Sequence, residues 1–412
     1  MRKIKENSVD SCISDFPYDL SFMGKKWDTT GNFYEWCKDR AEPLYRIIKP
    51  GGYVCIFGHP KTNHRMKSAF EDVGFNIVEE IDWVYGTGFP KNQDIGKLFD
   101  KKAGAEREIV GYLDRNDRKL PSGEGGTHGT AHQDYCNNGR ETINLSITAP
   151  ATNQAKKWDG WKTSGLKPAH EPITVFQKPL EGTYINNINT YGVGGMNINA
   201  CRIEHNEPIK TTNRKPRSAT WNMDTCGFDS TNNTVASADP NGRFPANMIF
   251  DSSMGEVLDN QSGISKSTGG SGDKSKGALG DSVYGKYKNE ELSANAGGLG
   301  DSSGASRYFL KIDAEDFVPF LYCPKASKKE KGEGNTHVTV KPKELIKWLI
   351  KLVTPINGKT IDITAGSGTH GLACEELNKN EGYNLRWIDI ELLNTEKEPY
   401  CEIAMNRIKN VI

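Results

Sequence analysis

The sequence has no net charge. Its 412 residues carry 53 Lys plus Arg against 53 Asp plus Glu, which excludes a uniformly basic nucleic-acid coat and an acidic tail protein. No apolar run approaches the roughly 18 residues of a membrane span, so no membrane partner is expected. Met1 to Glu6 offers no apolar segment of the kind a secretory signal needs. The nine cysteines are scattered from Cys12 to Cys401 with no C-x-x-C pair. That spacing argues against a zinc site, and no metal is expected. Without an export signal, reduced thiols in a cytoplasmic protein are expected. No internal repeat is visible.

Glycine, by contrast, is plentiful. The 43 glycines are about a tenth of the chain, against roughly 7% on average. Eleven fall in residues 263–304 among many serines, a stretch too polar to fix its own conformation. A second soft stretch spans 113–138. The ordered blocks between them read as α/β. In the first, Val9–Ser14 is strand-like, Phe33–Ile48 has helical spacing and Lys49-Pro50-Gly51-Gly52 is a helix stop. Tyr53–Phe57 is a buried-strand run, His64–Val73 a helix and Phe75–Tyr85 a strand. The last block repeats the pattern: an amphipathic helix over Pro342–Val353, a strand over Lys359–Ile363, a helix over Leu372–Leu377, a strand over Leu385–Glu391 and a helix over Tyr400–Ile408. Such alternation predicts a parallel sheet covered on both faces.

Two segments carry chemistry. At the end of the strand Lys359–Ile363, Gly366-Ser367-Gly368-Thr369-His370-Gly371 turns into a helix, where α/β sheets bind ligands. Glu391 ends the next strand and suits ribose hydroxyls. No Gly-Lys-Ser/Thr closes this turn, which disfavours a P-loop. An ordinary tight turn would account for the glycines alone equally well, and the strand before, the helix after and the acid at the next strand end favour the ligand site. The other segment is Ser14-Asp15-Phe16-Pro17-Tyr18. An acceptor, a stiffened carbonyl and an aromatic plane suit an extruded base with an exocyclic amine. On physical grounds alone, an ordinary strand-end turn is the better account.

These segments resemble motifs of a known family. Asp15-Phe16-Pro17-Tyr18 resembles the Asp-Pro-Pro-Tyr catalytic loop of the DNA methyltransferases that modify adenine N6 or cytosine N4. Asp362 to Gly368 resembles their Asp-Pro-Phe-x-Gly-Ser-Gly cofactor loop. Catalytic loop first and cofactor loop last is the order of the beta group. Further stretches fit in order: Leu20–Asp28, Lys49–Gly52, Trp83–Lys91, Leu166–Ile173, Gly242–Asn247, Ala326–Glu330 and Thr336–Pro342. The chain departs from the pattern at Phe16 (for Pro), Ile363-Thr364 (for Pro-Phe), Val338 (for Pro) and His370 (for Thr).

The resemblance implies a doubly wound mixed α/β sheet of the Rossmann-like type that uses S-adenosylmethionine. It implies a catalytic half over 1–185, a loop-rich target-recognition insertion over 186–330 and a cofactor half over 331–412. Asp15 and the Phe16 carbonyl would accept the amino hydrogens of a flipped base, Pro17 would stiffen the loop and Tyr18 would stack. Accepting both hydrogens aims the nitrogen lone pair and stabilises its growing positive charge. Asp362, Thr364, Gly366, Ser367 and Gly368 would line the cofactor pocket, with Glu391 on the ribose and Thr339 and Lys341 flanking the methionine end. Asp15 favours adenine over cytosine. The implied partner is double-stranded DNA, with a restriction endonuclease as companion, in a monomer or homodimer of bacterial or phage origin. An impaired relative that binds DNA or cofactor, and a nicotinamide-dependent oxidoreductase, are the competing readings. Neutral charge is then an average: residues 156–218 carry ten Lys/Arg against five Asp/Glu, and 320–351 eight against three, where phosphate contacts are expected.

Overall fold

Val9–Asp15 (β1) is buried on both sides because its apolar residues face two cores, Cys12 turning to one and Ile13 to the other. The computed structural model describes residues 1–20, 26–86, 92–112, 146–163, 165–203, 220–222, 227–229, 242–266, 302–312, 335, 337, 340–392, 394–395, 398–409 and 411. After β1, strands and helices alternate. They are Phe33–Ile47 (α1), Ile48–Phe57 (β2), Asn63–Val73 (α2), Asn76–Val84 (β3), Ile95–Ala103 (α3), His170–Gln177 (β4) and Tyr184–Tyr191 (α4). Met248–Phe250 (β5), Ser252–Ser262 (α5), Leu310–Lys311 (β6), Lys343–Val353 (α6), Lys359–Asp362 (β7), Thr369–Glu381 (α7), Arg386–Asp389 (β8) and Tyr400–Lys409 (α8) follow.

The eight strands form one sheet in the order β6-β5-β3-β4-β2-β1-β7-β8. Every pairing is parallel except the two made by β4. The sheet is doubly wound and mixed. The first-block strands β1, β2 and β3 all run in the same direction, as strand–helix alternation predicts, and β4, from beyond that block, enters antiparallel between β2 and β3 and makes the sheet mixed. As a continuous buried run, β4 carries no periodicity that reveals its direction. Strands β5 and β6 come from the stretch 186–330 and extend this same sheet.

Helices α1 and α2 cover one face, packing Leu44, Ile47, Met66 and Phe70 against Cys12, Val54, Ile56 and Phe176. Helices α6 and α7 cover the other, with Leu345, Leu349, Ala373 and Leu377 against Ile13, Cys55 and Phe57. No helix among the described residues is long and apolar enough to cross a membrane.

Strand β2 begins earlier than its apolar run suggests. α1 ends at Ile47, as the stop at Lys49–Gly52 predicts, and because Val9 pairs with Ile48 and Ser11 with Tyr53, the same residues form an irregularity within the strand. Gly51 takes φ +77° there, which favours glycine. The looped-out carbonyls are satisfied from outside, as buried carbonyls must be: Asn187 Nδ2 donates to Pro50 O (3.0 Å) and Gln177 Nε2 to Gly51 O (3.1 Å). In the Gly/Ser-rich stretch, Ser265–Lys266 pairs antiparallel with Ser302–Ser303. Residues 267–300, the soft stretch 113–138, and the motif stretches 87–91 and 326–330 lie outside the described residues.

Phe70 joins the core to the end of β1. It stacks on Phe176 at 4.4 Å and approaches Phe16 at 6.1 Å. Phe70→Ala is expected to cost about 3–5 kcal/mol, read as a lower urea midpoint at unchanged m-value.

Candidate functional site

β1 leads through α1 to β2 on one side, while β7 leads through α7 to β8 on the other. The chain departs in opposite directions from two neighbouring parallel strands, so a crevice opens at their carboxyl ends. Hydrogen bonds tie the two strand ends together. Ser14 Oγ donates to Asp362 Oδ1 (2.6 Å) and lies 2.7 Å from Thr364 Oγ1, and Ile363 N donates to Ser14 Oγ (3.2 Å). Thr364 Oγ1 donates to Asp15 O (3.0 Å). Thr364, a departure from the family pattern, therefore stitches the two loops to each other.

The Asp15–Tyr18 loop is fixed from beneath. The buried Asp28 carboxylate accepts from the backbone N–H of Tyr18 (2.7 Å), Asp19 (2.9 Å) and Leu20 (3.2 Å). Thr62 Oγ1 donates to Tyr18 O (3.0 Å). Phe16 buries its ring edge-on against Trp36 at 5.1 Å, so packing supplies the anchor that a proline would have supplied through its φ restraint. Pro17 is half-buried beside it.

Lys341 reaches this loop rather than a separate position. Its side chain is 3% exposed, and the ammonium lies 2.5 Å from Asp15 Oδ1, 3.4 Å from Glu171 Oε2 and 3.0 Å from the Tyr18 hydroxyl. The contact with Asp15 is an ion pair without hydrogen-bond geometry. Tyr18 in turn donates to Glu171 Oε2 (2.8 Å). Two carboxylates thus share one buried ammonium.

On the β7 side, Gly366 and Gly368 adopt φ +52° and +75°. A Cβ on Gly368 would stand 2.6 Å from Ala404 Cβ, so the loop lies against α8 at a closeness only glycine permits. Glu391 accepts from Gly366 N (2.6 Å). Arg407 clasps Ser367 through its carbonyl (2.7 Å) and Oγ (3.0 Å). Asp362 is buried, and burial together with the neighbouring Asp389 raises its carboxyl above the ordinary range. Asp15, Phe16, Pro17, Tyr18 and Lys341 thus gather at the carboxyl end of β1, and Asp362, Thr364, Gly366, Ser367, Gly368 and Glu391 at that of β7. Thr339 lies outside the described residues.

Four further residues build the site without having been singled out as site residues: Asp28, Glu171, Arg407 and Asp389. Asp28 and Glu171 each fall inside a motif stretch noted above, which was the available signal. Their burial, invisible in sequence, is what gives them a role. Asp389 pairs with another departure, His370, under the glycine loop. His370 Nδ1 lies 2.6 Å from Asp389 Oδ1, its Nε2 is 3.0 Å from Thr360 Oγ1, and Gly371 N donates to Asp389 Oδ2 (3.1 Å). Burial works against the charged imidazole, but the Asp389 carboxylate outweighs it and lifts His370 well above the ordinary value. Burial also raises the Cys374 thiol, which keeps it neutral, so Asp389 is the effective partner.

A family model described as DNA methylase matches residues 9–406. The Type II methyltransferase M.HindIII of Haemophilus influenzae is 22% identical over 239 residues, covering 48% of this chain and 62% of the relative. M.HpaI of Haemophilus parainfluenzae is 31% identical over 107 residues, 24% of this chain and 33% of the relative. The matches therefore span less than two thirds of either relative's length. Among solved structures, the cytosine-N4-specific PvuII DNA methyltransferase aligns with the whole chain and 89% of its own, at 13% identity and TM-score 0.35.

The His370–Asp389 pair generates a pH prediction. A histidine whose folded value is raised contributes stability that is complete below about pH 6.5, its unfolded value, and is lost as pH rises through the folded value. The stability gap between the wild type and His370→Asn, measured by urea unfolding across pH, is therefore expected to be largest in acid and to shrink in alkali. A gap that widens with pH would refute the assignment.

Proposed function

Because this chain belongs to the DNA methylase family whose model spans residues 9–406, we propose that it methylates the exocyclic amino group of a flipped base in duplex DNA, adenine N6 in preference to cytosine N4, using S-adenosylmethionine. The observation that carries this reading is the stitch between β1 and β7. It ties the Asp15 loop to the chain leading into the glycine loop, at the crevice where the topology reverses.

The glycine loop fits the cofactor. Its left-handed glycines let the backbone close on Ala404 and His337 at distances a Cβ would not allow, leaving a loop with no side chain at those positions, and the Glu391 carboxylate is bonded to its first glycine. S-adenosylmethionine supplies a methyl group on a sulfonium whose sulfur keeps the bonding pair when the carbon departs. The chain's own residues hold the acceptor. Asp15 Oδ1 and the Phe16 carbonyl accept the two amine hydrogens, which turns the nitrogen lone pair toward the cofactor side. The Asp15 carboxylate stabilises the charge that grows on nitrogen and takes up its surplus proton. Tyr18 offers its ring as a stacking plane, half-exposed above the loop. Since M.HindIII and M.HpaI are Type II methyltransferases, a cognate restriction endonuclease is part of the same proposal.

Incubation with duplex DNA and tritiated S-adenosylmethionine is expected to label the DNA, with Asp15→Ala lowering incorporation at least a hundredfold. Nucleoside analysis is expected to return N6-methyladenine; N4-methylcytosine would overturn the base preference, and no label on varied duplexes would overturn the activity. Gly368→Ala is expected to weaken S-adenosylmethionine binding at least tenfold by calorimetry, because its Cβ displaces the loop from α8. Unchanged affinity would remove this loop from the cofactor site.

A further inference from the structure

We propose that Glu171 is a positioning residue for methyl transfer: it receives the Lys341 ammonium when Asp15 turns to the target amine, and until then it holds Tyr18 in place. The proposal rests on the methyltransferase reading above, and it addresses a difficulty within that reading. Asp15 Oδ1 has to accept an amine hydrogen, yet in this structure Lys341 Nζ stands 2.5 Å from that oxygen. A buried ammonium cannot give up its counter-charge without a replacement, because an unpaired charge in the interior is strongly unfavourable.

Glu171 is that replacement. It is 2% exposed, and its Oε2 already lies 3.4 Å from the same nitrogen. Lys341 can therefore slide from one carboxylate to the other without returning to water. The path is lined by π faces that favour a cation throughout: Nζ lies 4.7 Å from the Phe57 ring centroid and 5.3 Å from that of Tyr18. The Tyr18 hydroxyl is held by both partners, accepting from Lys341 (3.0 Å) and donating to Glu171 (2.8 Å). The movement of charge is thereby coupled to the ring that would meet the base. Among the described residues, the titratable and charged groups facing Lys341 include Asp15, Tyr18 and Glu171.

Topology explains how a carboxylate reaches this point. β4 is the antiparallel strand of the sheet, so its first residues lie at the edge where the parallel strands end. Glu171 pairs with Trp83, near the end of β3, and Ile173 pairs with Phe57, the last residue of β2. One reversed strand delivers a buried carboxylate to the crevice from a side no parallel strand could use.

Glu171→Gln keeps an acceptor for Tyr18 and removes the charge. It is expected to lower kcat at saturating DNA and S-adenosylmethionine at least tenfold, with S-adenosylmethionine affinity within twofold of wild type. Its kcat should climb toward alkaline pH, as Lys341 loses its proton and frees Asp15, while that of the wild type stays flat. In a Lys341→Met background the same change should cost less than threefold, since no ammonium remains to be received. An inactive wild type would overturn both this proposal and the reading beneath it. An active wild type would overturn this proposal alone if Glu171→Gln left kcat unchanged, lowered it equally at every pH, or cost as much without Lys341 as with it. The pH profile needs only the single variant, so the test stands even if the double variant fails to fold.

Discussion

The hydrogen bond from Ser14 Oγ to Asp362 Oδ1 ties together everything on which the site depends. Both partners are buried, so each must find the other or bear the cost of an unsatisfied buried polar group. Satisfying that requirement brings the ends of β1 and β7 into one plane. The Asp15 backbone is then reachable by Thr364, and the glycine loop is held at a fixed distance from the Asp15 loop. Asp28 under one loop, and Arg407 and Glu391 around the other, rigidify what this contact has joined. A preorganised acceptor beside a preorganised cradle is what transfer between two bound molecules needs.

The parts of the fold legible in sequence were those governed by short-range pattern. The α/β alternation, the amphipathic α6 and the strand–glycine–helix unit at β7 all follow from periodicity and turn chemistry within a dozen residues. Strand β4 did not follow, because a buried strand reads the same in either direction. The start of β2 was hidden for a related reason. Lys49-Pro50-Gly51-Gly52 carries the signals of a helix stop, yet Asn187 and Gln177 supply donors that let those residues remain within the strand.

The site divides along the same line. Asp15, Tyr18, Asp362 and the glycines announce themselves by residue type and spacing. Glu171, Asp28 and Asp389 do not, since their significance is that they are buried charges whose partners lie far along the chain. The departures from the family pattern take on physical meaning once placed. Phe16 exchanges a restraint on φ for a buried ring, Thr364 exchanges an aromatic for a hydrogen-bonding stitch, and His370 acquires Asp389 as a buried counter-charge.

The strands that form the site stand at opposite ends of the chain, with Ser14 and Asp362 separated by 348 residues. On a ribosome adding about 5–20 residues per second, roughly 20–70 s pass between the emergence of the two walls. Throughout that interval β1 presents an unpaired edge where β7 will later pair, and no cofactor cradle exists beside it. Synthesis itself is thus a timer: the walls of the crevice cannot meet until nearly the whole sheet is available to receive the last strands.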